Sequence, residues 1–127
     1  MYTITTKLPT MNDDDLKWNY KKYRRKYWIR ESLWIPEDIP VVFGKLSRMK
    51  LTKEFAGYIA QSNDKIIRLD PILKHVWPQA MSCLLHEMGH LYVGVSTNWD
   101  LRKCQHGKTF QKEMDRLYNL RAFRDLI

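Results

Sequence analysis

The sequence predicts a small α+β domain, with a small antiparallel or mixed sheet packed on a central apolar helix and a further helix at each end. Three observations predict it. An aromatic and basic segment follows a helix-start signal at Asn12. Three short segments rich in β-branched and aromatic residues lie within residues 41–69. A nearly continuous apolar stretch then runs between Pro78 and Gly94. The chain has 127 residues, 44% apolar and 28% charged, which suits one domain with its own core. It is read as a single domain over 1–127, with an N-terminal helix over 12–35 and a core over 40–123.

Asn12 can cap a helix, and Asp13, Asp14 and Asp15 then sit at the positive end of its dipole. Leu16, Tyr20, Tyr23, Tyr27 and Trp34 recur near helical spacing and form one face. Pro36 and Pro40 close the helix. Val41–Phe43 reads as a short strand. Ala56–Ala60 and Lys65–Leu69 read as two more, joined by a turn at Gln61-Ser62-Asn63-Asp64. Asp70-Pro71 starts a short helix through Ile72, Leu73 and Val76. Trp77-Pro78 breaks it and opens the apolar helix at about Gln79, which Gly94 ends. A polar loop covers 95–107. A last helix over 108–123 carries Phe110, Met114, Leu117 and Leu120 on one face.

The net charge of +8 is unevenly placed. Residues 16–53 hold 11 Lys and Arg against Glu31, Glu37 and Asp38, so the whole excess lies there. Lys17, Lys21, Lys22, Arg24, Arg25, Lys26 and Arg30 crowd the polar side of the first helix, with no acid from Leu16 to Arg30. Three readings stand. The face is a solvated outer surface of a core helix, a nucleic-acid contact built of cations and interleaved aromatics, or a membrane-surface helix. The last is the weakest, because the aromatic side serves better as core. No apolar run approaches the ~20 residues that span a bilayer. The N-terminus lacks the apolar centre of a signal peptide, so a cytoplasmic setting is expected, with association to DNA or a nucleoid. Of the two cysteines, Cys83 reads as a buried small hydrophobe, and Cys104 reads as a loop thiol rather than a metal ligand.

The apolar helix carries His86-Glu87-Met88-Gly89-His90, an HExxH pentad. With four His and five Glu in the chain, chance supplies roughly 0.005 such pentads. Residues i and i+4 share one helix face, so both imidazoles can reach one metal ion. The adjacent carboxylate can reach a water in the open coordination position and act as general base. Met81, Leu84, Leu85, Met88, Leu91, Tyr92 and Val93 surround the triplet, so the helix should be buried. Two His and a Glu are costly to bury without a partner, and a metal supplies one.

A catalytic zinc usually takes three protein ligands. Ser96 occupies the position six residues after His90, where one zinc-protease pattern needs His, so that pattern fails. Glu113, on the last helix, and His106, beside Gly107, both remain candidates on the residues alone.

Three pieces of the chain resemble the SprT-like zinc metalloproteases, the Spartan-type family. Leu84-Leu85-His86-Glu87-Met88-Gly89-His90 resembles the family's "LLHEMxH". His106-Gly107-Lys108-Thr109-Phe110 resembles its "HGxxF". Ala56-Gly57-Tyr58 with Ile66-Ile67-Arg68-Leu69-Asp70-Pro71-Ile72-Leu73 resembles the strand and helix before the active helix. The likeness covers about residues 40–120. It implies a zincin-like minimal metalloprotease core holding one Zn2+ on His86, His90 and His106, with Glu87 as general base. Glu113 then becomes a helix-surface or supporting residue. The family's cysteine-rich module and DNA-binding tail have no counterpart here, so the expectation is a bare catalytic core whose DNA contacts come from residues 16–53.

The expected function is zinc-dependent endopeptidase activity on a protein substrate, with DNA as a further partner and no membrane. The alternative is a zinc-stabilised DNA- or protein-binding module without protease activity; the intact Glu87 argues against it. A substrate peptide is expected along a strand edge, at Lys65–Leu69 or Ala56–Ala60. His75, Tyr92 and Tyr118 are candidate oxyanion donors, none of them assigned.

Overall fold

The computed structural model describes residues 10–29, 33–44, 60–63, 66–97, 107–124 and 126. Their elements run in the order α1 (Asp13–Tyr27), β1 (Val41–Phe43), β2 (Ala60–Asn63), β3 (Ile66–Leu69), a 3-10 helix (Pro71–His75), α2 (Trp77–Ser96) and α3 (Lys108–Asn119). This is a small α+β architecture. Among the described residues, no helix is long and apolar enough to cross a membrane.

Helix α1 starts as its sequence dictates. The Asn12 side chain accepts from the Asp15 N–H and the Asp15 carboxylate accepts from the Asn12 N–H, both at 2.9 Å, a reciprocal cap. Leu16, Tyr20, Tyr23 and Tyr27 are buried along one face, as their spacing predicts. Burial pushes the Tyr23 phenol up to about 12, with Tyr27 beside it adding to the shift. The helix ends at Tyr27, however, and not near residue 35. Trp28 leaves the helical path and is wholly buried, while Trp34 is half exposed and belongs to no helix face. The segment after the helix is tied back to it: the Tyr20 hydroxyl donates to the Pro36 carbonyl, and Arg24 Nε donates to the Ile35 carbonyl at 2.8 Å.

The sheet is three-stranded and mixed, in the order β1-β3-β2. β1 runs parallel to β3, with Val41 opposite Ile67 and Phe43 opposite Leu69. β2 is antiparallel to β3, from Ala60 opposite Leu69 to Asn63 opposite Ile66. Two expectations change. Gln61, Ser62 and Asn63 are strand residues, not a turn, and only two residues separate the paired Asn63 and Ile66. Their composition favours a turn, but β2 lies at the edge of the described sheet, where polar residues are tolerated and the backbone ladder decides. β3 is central and so cannot offer an edge to a peptide. Residues 56–59 of the expected strand, and Lys65, lie outside the described residues.

Asp70 caps the 3-10 helix by accepting from the Ile72 N–H at 2.9 Å, with Pro71 at its first position. α2 packs against α1, α3, the 3-10 helix, β2 and β3, and so forms the centre of the core. Ala80, Met81, Leu84, Leu85, Met88, Leu91 and Val93 are buried on it, as predicted for a helix apolar nearly all round. Gly94 does not end it. The helix runs to Ser96, where the Ser96 and Thr97 hydroxyls fold back onto the Val93 carbonyl at 3.2 and 2.6 Å.

Phe110, Met114 and Leu117 of α3 are buried as expected, but Leu120 is half exposed. The helix stops at Asn119, four residues early. Arg121 takes a left-handed conformation, φ 62°, and the next residues re-enter the core through Ala122 and Phe123. The Arg121 N–H donates to the Tyr118 carbonyl and the Ala122 N–H to the Leu117 carbonyl, both at 2.9 Å. This is the Schellman bonding pattern, with arginine where glycine is usual.

Candidate metal centre

The pentad occupies the middle of α2, in its buried stretch. One helical turn brings the His86 and His90 rings to 4.9 Å between centroids, inclined at 74°. One ligand atom from each of His86, Glu87 and His90 lies within 4.8 Å of the other two. Glu87 is buried and both imidazoles are half-buried. Among the described residues, this is the group of His, Cys, Asp and Glu side chains that could hold a metal ion. Two imidazoles and a carboxylate converging in an apolar wall form a donor set that suits zinc, since the burial of all three is offset when an ion joins them.

α3 completes one wall. The Phe110 ring stacks on His90, 3.9 Å between centroids and 13° apart, and meets His86 edge-on at 4.8 Å. One aromatic side chain therefore packs against both candidate ligands. α3 packs directly over Gly89, inside the pentad. A Cβ there would collide with the terminal methyl of Met114 and touch Phe110 and Glu113.

Glu113 is buried, not on the helix surface. Its carboxylate accepts from Trp28 Nε1 at 2.6 Å, from Arg116 Nε at 2.7 Å and from Arg116 Nη2 at 2.9 Å. Arg116 Nη1 donates to the Tyr27 carbonyl at 2.9 Å, and its guanidinium lies 5.5 Å from the centre of the Trp28 ring. That arginine satisfies a carbonyl at the C-terminus of α1 and favours the negative end of the helix dipole. The network locks α1 to α3 and commits both Glu113 oxygens. A role for Glu113 as metal ligand has no support in this geometry.

The remaining expected residues fall as follows. His106 lies outside the described residues, as does Cys104. Gly107 directly precedes α3 as its N-cap. Cys83 is half-buried against the core, and burial, with the nearby Glu87 carboxylate, pushes its thiol up to about 11. Burial also raises the Tyr92 phenol, with Glu113 adding to the shift. His75 and Tyr118 are exposed, with His75 Nδ1 3.4 Å from the Thr10 hydroxyl.

The basic side chains of α1 divide into two sets. Arg24 holds the Ile35 carbonyl and Lys21 lies 4.0 Å from Asp38. Lys17, Arg25 and Lys26 are exposed and Lys22 is half-buried. The Lys22 ammonium sits 5.5 Å from the exposed Trp18 ring and 5.4 Å from the Tyr23 ring. Arg30 lies outside the described residues.

With this geometry in place, comparison with known proteins adds one finding. The SprT-like family model matches residues 18–124, most of the chain, a span that contains positions 86, 90 and 106. The chain belongs to the SprT-like family. Neither the search of curated proteins nor the search of solved structures returns a match. The SprT-like match starts within α1 and ends beyond α3, so it includes the Trp28–Glu113–Arg116 network as well as the pentad.

Sequence reasoning missed two features of this SprT-like centre. Phe110 was legible as a core residue of α3, but not as the ring that contacts both imidazoles. The lock on Glu113 joins side chains 85 residues apart. Gly89 was the one available signal, since a glycine inside a buried helix marks close approach of a neighbour.

Proposed function

We propose that the protein is a zinc-dependent endopeptidase with a zincin-like core, and that it cleaves proteins bound or crosslinked to DNA. The convergence of His86, Glu87 and His90 on the central buried helix of a SprT-like chain carries this reading. His86 and His90 would hold the ion with His106 as third ligand. Phe110, one turn beyond His106 in sequence, already meets both imidazoles, which supports delivery of the start of α3 to this site. Zinc bound there supplies Lewis acidity toward water and a peptide carbonyl. Glu87 then has the proton work. Its carboxylate accepts a proton from the attacking water and returns it to the leaving amine nitrogen. The buried setting strengthens both interactions by excluding bulk water.

The DNA part of the proposal rests on the charge distribution and on the face of α1. Lys17, Lys22, Arg25 and Lys26 share α1 with an exposed Trp18, whose ring Lys22 approaches, a mixture that suits phosphate contact and base stacking. Cleavage of a disordered protein such as casein, followed with and without DNA, tests both parts. The expected result is cleavage that chelation stops, stimulated by DNA at low salt and not at high salt. Cleavage indifferent to chelation contradicts the zinc reading. Chelation-sensitive cleavage with no response to DNA leaves a zinc protease and removes the DNA role.

A further inference from the structure

We propose that Phe110 is a positioning residue of the metal centre, whose ring holds the His86 and His90 imidazoles in the orientation that lets both ligate one ion. Phe110 has no donor atom, so it acts on the metal only through the two histidines. The proposal rests on the zinc reading of this site and adds what prepares the site for the ion.

A helix places residues i and i+4 on one face, but it does not hold their side chains in one rotamer. His86 and His90 are half-buried, so burial on α2 does not by itself fix either ring. Phe110 meets both, and in two different ways. Its ring lies nearly parallel to His90, 3.9 Å between centroids and 13° apart. It meets His86 edge-on, at 4.8 Å and 65°. Turning His90 out of its plane drives an imidazole edge into the Phe110 face. Moving His86 toward α3 meets the same ring. A Cβ added at Gly89 would lie 3.5 Å from Phe110 Cε1, so the ring covers the helix between the two histidines.

The ring is itself held from behind. Phe110 is 4% exposed. One turn further along α3, both Glu113 oxygens are bound by Trp28 and Arg116. None of these anchors is an imidazole, so the wall stands independently of the ligands it supports. Two side chains ordered before the ion arrives need not be ordered at its expense, which raises affinity. A ring that only filled the core would leave metal affinity unchanged when another apolar side chain replaced it. The stacked and edge-on contacts with imidazoles depend on an aromatic ring, and leucine cannot reproduce them.

The test is zinc affinity of the folded full chain, by competition with a chromophoric chelator, in wild type, Phe110→Leu and Leu117→Ala. Leu117 is buried on the same helix, two turns beyond Phe110, so its truncation loosens the core away from the imidazoles. Phe110→Leu should weaken zinc binding by about tenfold to 100-fold. Leu117→Ala should melt lower and bind zinc as wild type does. A second measurement needs no variant and decides the matter even where Phe110→Leu does not fold. The His90 ring protons lie over the Phe110 face, so their NMR signals should be shifted upfield in the metal-free and the zinc-loaded wild type alike. Loss of that upfield shift on loading overturns the proposal. Wild-type affinity in Phe110→Leu, or equal losses in both variants, also overturns it and leaves the zinc site standing. A wild-type chain that binds no zinc overturns the proposal and the zinc reading together.

Discussion

His86 and His90 meet because a helix repeats every 3.6 residues, and the pentad needed no tertiary information to suggest it. Glu87 was equally legible, since Cys83, Leu84 and Leu91, one helical turn to either side of it, are apolar and its burial follows from theirs. Phe110 was not. Its ring reaches the imidazoles across the packing of α2 on α3, and that helix crossing is not written in either segment alone. Cys83 shows the same limit in reverse. It was read as a small hydrophobe, and it does pack on the core, but its thiol is also held protonated by burial and by Glu87. The shift is upward, so the neutral form dominates below about pH 11 and the nucleophilic thiolate is scarce at pH 8. Iodoacetamide should therefore label the Cys83 peptide far more slowly than it labels free cysteine at pH 8, as read by mass spectrometry. Labelling at the free-thiol rate would contradict that environment.

At the scale of elements, starts were more legible than stops. Asn12 and Asp70 cap their helices through side chains that act on residues two or three positions away, so local sequence was enough. The end of α1 is different. No Gly or Pro stands near Tyr27, and its carbonyl is satisfied by Arg116, 89 residues away. The helix stops where Trp28 can reach Glu113. Strand β2 was displaced for a related reason, because pairing with β3 outweighed the turn propensity of Gln61, Ser62 and Asn63. The lock can be tested directly. Arg116→Ala strands the buried Glu113 carboxylate with one donor, and should cost about 3 kcal/mol in urea unfolding. A loss under ~1 kcal/mol would show that the network does little to hold α1 against α3.

For the whole molecule, the central placement of α2 follows from its composition. A helix apolar nearly all round must be covered on all sides, and α1, α3, the 3-10 helix and two strands cover it. That placement puts the pentad in the core while His86 and His90 remain half-exposed. The two candidates for the third ligand, His106 and Glu113, make opposite predictions. His106→Ala should lower zinc affinity by 100-fold or more, while Glu113→Ala should leave affinity within about tenfold and lower stability instead. The reverse pattern would move the third ligand onto α3.

Glu87→Gln tests the central claim most directly, because it removes the proton acceptor while keeping the size and place of the side chain. Zinc content and cleavage should be measured on the same sample. The account predicts one zinc per chain, an unchanged melting midpoint and cleavage reduced by about 100-fold to 10,000-fold. A Glu87→Gln protein that holds zinc and still cleaves at the wild-type rate would contradict it.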